Sequence, residues 1–182
     1  INCRQFGDIR LDSHPADFYP ETTGNRLWIN LSASKLLVVA DRSAKAVLRS
    51  WPVSVETSTG SNRAIAVDET NRRIFITTWR PARLAVLSAD SGVRVDDRQT
   101  VNDPESISYD GANRRIYITG NDSFIDVVMQ VSPDKYEPLT RVQTAPASRT
   151  SLFLPALARF CVAVPKSAGR NAELQVFVVD RS

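Results

Sequence analysis

One heptapeptide occurs twice in this chain with only its aromatic residue changed: Asn71-Arg72-Arg73-Ile74-Phe75-Ile76-Thr77 and Asn113-Arg114-Arg115-Ile116-Tyr117-Ile118-Thr119. Weaker copies stand on either side, Asn25-Arg26-Leu27-Trp28-Ile29-Asn30 upstream and Ala158-Arg159-Phe160-Cys161-Val162-Ala163 downstream. The first apolar residues of the copies, Leu27, Ile74, Ile116 and Phe160, are spaced by 47, 42 and 44 residues. A fixed period of this length means a repeat architecture, in which each unit buries its faces only against its neighbours.

Each unit reads as several short strands. In the third, Ser106 to Tyr109 alternates, Asp110-Gly111-Ala112-Asn113 supplies a turn, and Arg115 to Thr119 alternates again with β-branched and aromatic residues. Gly120-Asn121-Asp122-Ser123 then leads into Phe124 to Val131, and Ser132-Pro133-Asp134 into Tyr136 to Gln143. The second unit follows with Ala64 to Val67, Arg73 to Thr77, Leu84 to Ser88 and Val93 to Thr100, and the first with Asp17 to Tyr19, Leu27 to Asn30, Lys35 to Ala40 and Ala46 to Pro52. Four antiparallel strands per unit in the low forties of residues are blades of a β-propeller, so the expected fold is all-β, a single domain over 1–182 with four blades.

The fourth unit has three strands, Ser151 to Leu154, Phe160 to Val164 and Leu174 to Asp180. Arg4 to Leu11 precedes the first unit where Val95 to Val101 precedes the third, and it reads as an orphan outer strand. Pairing it beside Leu174 to Asp180 completes the last blade and covers an exposed edge. The pairing is either intramolecular, giving a four-bladed ring, or reciprocal between two chains, giving an eight-bladed homodimer; a third reading is half of a larger propeller.

Composition narrows the function classes. A net charge of +3, from 23 basic and 20 acidic residues spread along the chain, gives no electrostatic tail. The Arg72-Arg73 and Arg114-Arg115 pairs fall in hairpins with no aromatic platform, so nucleic acid is an unlikely partner. No run reaches the roughly 18 apolar residues of a membrane helix, so no membrane insertion is expected. Cys3 and Cys161 are read as free thiols, with Cys161 in the core. The chain begins at Ile1 without a signal-peptide pattern, as a processed protein or a piece of a longer one does.

No phosphate loop, zinc-protease motif or nucleophile elbow is present, so no catalytic residue, metal ligand or cofactor is assigned. What remains is the propeller face that carries the loops leading into the innermost strands. Counting back from the repeat anchor puts Asp17, Arg63, Glu105 and Arg149 at equivalent places there, a polar ring for a small anionic or zwitterionic ligand. His14, Trp79, Arg80, Asp122, Lys166 and Arg170 sit in loops of the same face. The lone His14, before Pro15, reads as turn chemistry. The expected function is a non-enzymatic scaffold that binds a protein or small polar ligand. The alternative is a lyase- or lactonase-type propeller enzyme in which Asp17 and Glu105 hold a divalent cation.

Gly24 to Ile29, Asp68-Glu69-Thr70-Asn71-Arg72-Arg73-Ile74-Phe75-Ile76 and the third copy resemble the "DP-x-T-N-R-hydrophobic-Y-V" signature of YVTN-type β-propeller repeats. The likeness spans essentially the whole chain and is greatest to the C-terminal half of bacterial secreted or periplasmic members, which implies such a location here. Members usually have about seven blades, against four here. The signature is made of turn and core residues and brings no catalytic motif with it.

Overall fold

The computed structural model describes residues 3–53 and 59–180. Among these residues fifteen strands form four antiparallel sheets, each a simple meander. The first contains β1 (Pro15–Pro20), β2 (Arg26–Leu31), β3 (Leu36–Asp41) and β4 (Ala46–Pro52). The second contains β5 (Asn62–Asp68), β6 (Arg73–Thr78), β7 (Arg83–Ser88) and β8 (Arg94–Gln99). β9 (Ser106–Asp110), β10 (Arg115–Thr119), β11 (Phe124–Ser132) and β12 (Lys135–Gln143) make the third, and β13 (Ser151–Leu154), β14 (Arg159–Val164) and β15 (Glu173–Val178) the fourth. No helix among the described residues is long and apolar enough to cross a membrane.

Strand alternation explains the packing, because residues i and i+2 share a face. In β6, Ile74 and Ile76 point to the first sheet and join Trp28, Leu37 and Val39, while Phe75 points to the third and joins Ile116, Ile118 and Val128. Tyr117, Ile125 and Val127 in turn meet Phe160 and Val162 of the fourth sheet. Neither face of one sheet suffices alone; each fully buried residue such as Phe75 or Leu84 contributes about 1.5–3 kcal/mol only because a neighbouring blade covers it.

The turns follow from the repeat. Asp68 and Asp110 open the first hairpin of their blades, accepting from the backbone N–H and the side-chain amide of Asn71 and Asn113. Arg72 and Arg114 take the left-handed conformation that closes the turn. The next arginine crosses to the following blade: Arg73 reaches the Pro133 carbonyl and Asp134, and Arg115 the carbonyl of Asp180. The second arginine of each pair is therefore a tie to the next blade rather than a solvated hairpin end.

Among the described residues the inner strands β1, β5, β9 and β13 touch in that order, and β13 makes no contact of comparable extent with β1. The four blades form an open arc, which removes intramolecular closure into a four-bladed ring. The expected strand Arg4–Leu11 forms no ladder among the described residues. Its intended neighbour, β15, lies at the far end of the arc, and a strand with no edge to pair with leaves its backbone to water. Its alternation still holds: Ile9 and Leu11 turn inward onto Ile29, Leu31, Val38 and Ala40 of the first sheet. Both thiols are free, but Cys161 faces away from the third sheet and is partly exposed rather than in the core.

Candidate functional site

A buried polar residue near the inner end of strand β2 or β10 positions each arginine of the channel mouth. Asn30 donates its amide to the Arg63 carbonyl at 2.8 Å, and Thr119, at the equivalent place in β10, donates to the Arg149 carbonyl at 2.7 Å. Thr119 also meets the Ser151 hydroxyl at 2.9 Å, and Ser106 accepts from the Ser151 N–H at 3.2 Å. These bonds join adjacent sheets, so the loops above them are fixed by the blade packing rather than by their own sequence.

The mouth opens on a cavity of about 410 Å³ lined by Ala16, Asp17, Arg63, Ala64, Glu105, Ser106 and Thr150. The first three sheets and the segment leading into β13 contribute to it. Three of the four residues placed there by repeat counting line this cavity, and the fourth, Arg149, is bonded to it through Glu105 at 3.2 Å. Asp17 spans the gap from the first to the second sheet by accepting from the Ile65 N–H at 2.9 Å.

The residue that sequence reasoning missed is Asp103. Its two carboxylate oxygens hold Arg63 and Arg149, each at 3.1 Å, so one acid bridges two arginines that belong to different sheets. Asp103 lies two positions before Glu105, outside the repeat-equivalent place, with a left-handed backbone. The turn chemistry of Asn102-Asp103-Pro104 was its only sequence signal. Counting it, the mouth has three carboxylates, Asp17, Asp103 and Glu105, against two guanidiniums, Arg63 and Arg149.

The loop residues divide. Trp79 is stacked between two cations, with Arg63 4.9 Å and Arg80 3.9 Å from its ring centre, so it joins the mouth through Arg63. Gly60 makes this possible, since a Cβ there would lie 1.3 Å from the Trp79 carbonyl oxygen. Asp122 accepts from the Asn102 N–H at 3.1 Å, and Lys166 and Arg170 lie in the β14–β15 loop, where Arg170 pairs its backbone with Ser167. His14 is exposed, its carbonyl accepting from the Ser32 N–H at 3.2 Å, as a turn residue does. None of these six lines the mouth cavity. No cluster of three or more His, Cys, Asp or Glu side chains able to hold a metal occurs among the described residues.

On the opposite face a buried network ties the second and third blades. Asp68 accepts from the Tyr109 hydroxyl at 3.0 Å and the Gln130 amide at 2.9 Å, and Gln130 also donates to the Tyr136 hydroxyl at 3.2 Å. Burial pushes the Asp68 carboxyl up, but the bonds from Asn71, Gln130 and Tyr109 outweigh it and hold the group below the usual carboxylate range. Burial likewise raises the Tyr109 and Tyr136 hydroxyls well above the ordinary phenol value. Every member is satisfied, which marks the network as structural.

No family model matches the chain, and no curated protein matches its sequence. Solved structures do match its fold. Hydrazine synthase of Kuenenia stuttgartiensis superposes with a TM-score of 0.78 at 14% identity, over 97% of this chain and 49% of that one. A chain of the mitotic checkpoint complex gives 0.76 at 12% identity, over 97% and 53%, and Raptor of Chaetomium thermophilum 0.72 at 12% identity, over 91% and 15%. The fold is a β-propeller. This chain spans about half the length of the first two chains it matches, and a small part of the third.

Proposed function

We propose that this chain is a non-enzymatic propeller scaffold that binds a protein or a small polar ligand through the channel-mouth face. The observation that carries the reading is the gathering of Asp17, Arg63 and Glu105, from or beside the inner strands of three different sheets, around one cavity of about 410 Å³. With Asp103 already bridging both arginines, the mouth has one net negative charge, which favours a zwitterion or a peptide end carrying an amine over a simple anion. Trp79 and Arg80 extend the same surface for a larger, protein ligand. The resemblance to YVTN-type repeats supports a secreted or periplasmic setting, and a second copy that completes the ring belongs to the same reading.

Calorimetric titration with free amino acids and dipeptides tests the reading. Uptake by the intact chain, weakened at least about tenfold by Arg63→Ala and unchanged by Arg72→Ala on the opposite face, is the expected result. Equal effects of the two substitutions would remove the mouth as the site.

A further inference from the structure

The register places one set of side chains at equivalent points in every blade, on the side that faces the next blade. Cross-strand pairs are Trp28 with Val39, Phe75 with Val86, Tyr117 with Val127 and Cys161 with Val176. One step inward are Leu37, Leu84, Ile125 and, in the fourth blade, Leu174. The valine is 2, 0 and 6% exposed in the first three blades and 57% in the fourth; the inner residue is 0, 0 and 2% exposed, then 62%. Leu152 and Val178 extend the same uncovered face. The fourth blade therefore presents an interface that is used three times within this chain and left open the fourth time.

The matching half is also on this chain. Ile65 of β5 is buried against the first sheet, whereas Phe18, its counterpart in β1, is 60% exposed. Leu27 and Leu36, on the same side as Phe18, are only partly covered. The Cys3–His14 segment lies against the first sheet as β8 lies against the third. Ile9 and Leu11 pack inward as Val95 and Val101 do, and the Phe6 carbonyl is held by Lys45 of the β3–β4 turn, as Arg98 binds the carbonyl of Tyr136 beside the β11–β12 turn. It has the place of an outer strand but pairs with no sheet among the described residues, and among those residues no strand pairs with the outer side of β15. Arg159 is consistent with this, although Arg26 of the first blade also stays within its own hairpin, bonding Glu21. Arg73 bonds the carbonyls of Asn71 and Arg72 with Nη1 and crosses to the next blade with its other nitrogens. Arg159 repeats the first part, to Leu157 and Ala158, and bonds nothing beyond its own hairpin among the described residues.

From this we infer that the open face of the fourth sheet receives a second copy of this chain, whose Arg4–Leu11 segment becomes the fourth strand beside β15 and whose Phe18 side covers Leu174 and Val176. The contact is head-to-tail, so it forms a closed ring only if the arc sweeps half a turn. The superposition of four blades on about half the length of two propeller chains fits that sweep, and two copies then close eight blades with two identical joints. The inference rests on the scaffold reading for its partner, but its test does not require a ligand.

Sedimentation equilibrium over a range of concentrations is expected to give twice the 20.2 kDa chain mass, with no larger species. Val176→Lys and Phe18→Asp alter exposed side chains, so each variant should keep the far-ultraviolet spectrum of the parent while becoming monomeric, with self-association weakened at least about tenfold. An equimolar mixture of the two variants should recover a weaker dimer, since it retains one intact joint of two. Three results overturn the proposal: a parent chain that stays monomeric at the highest concentration, variants that still dimerise, or a mixture no different from its components. A monomer that still binds the zwitterionic probes would end the ring and leave the mouth as the site.

Discussion

Replacing Asp68 by alanine should be among the most damaging single changes away from the mouth. The side chain is 3% exposed, and its carboxylate accepts from the Asn71 N–H at 3.1 Å, the Asn71 amide at 2.7 Å, Tyr109 at 3.0 Å and Gln130 at 2.9 Å. Alanine leaves the Asn71 donors near water, where hydration restores part of the loss. Tyr109 and Gln130 remain buried between blades and keep only each other and Tyr136. With two buried bonds to a charged acceptor at about 1.5–3 kcal/mol each, and one N–H of Gln130 left short of a partner, the cost is about 3–4 kcal/mol. Asp68→Asn keeps one acceptor oxygen for Tyr109 and Gln130 and turns its amide towards the Asn71 N–H, for about 1–2 kcal/mol. Urea unfolding at fixed protein concentration reads both as shifts of midpoint at constant slope, about 1.5–2 M for the alanine variant. The exposed Asp90, paired with Arg72, is the control, at under about 1 kcal/mol when replaced by alanine. If Asp68→Ala and Asp90→Ala cost the same, the inter-blade network is not what joins the second and third sheets.

The same carboxyl sets a pH dependence: held below its unfolded value, it contributes fully above about pH 4 and loses that contribution as the pH falls through the folded value, so the urea midpoint should drop less between pH 5 and pH 3 in Asp68→Asn than in the parent. Gly60→Ala should destabilise by about 1–3 kcal/mol and disturb Trp79 fluorescence, because its methyl group meets the Trp79 backbone. Arg149→Ala removes only solvent-accessible ion pairs to Asp103 and Glu105, so stability should change by under about 1 kcal/mol while probe binding at the mouth weakens.

The blades were legible because the same turn chemistry recurs: Asp68 with Asn71 and Asp110 with Asn113 set hairpins that any reading of the repeat finds. Counting along that repeat also placed Arg63 and Arg149 at equivalent positions, where inter-sheet bonds from Asn30 and Thr119 hold their carbonyls. Asp103 was invisible to the same method, since a period reveals what all units share and not what one loop supplies. The N-terminal segment shows the converse. Ile9 and Leu11 do turn an inward face to the first sheet, but a strand also needs an edge, and the open arc puts that of β15 out of reach. Cys161 misled because its neighbours Phe160 and Val162 are buried, while β14 turns its alternate side to the uncovered face of the last blade.

Hydrogen–deuterium exchange of the intact chain with a saturating dipeptide tests the functional account most directly. Binding at the mouth should slow exchange in residues 14–17, 61–64, 103–106 and 147–151, which approach one another only when the four sheets pack as an arc. Protection confined to the opposite hairpins, around residues 69–73 and 111–115, or no protection at all, would contradict it.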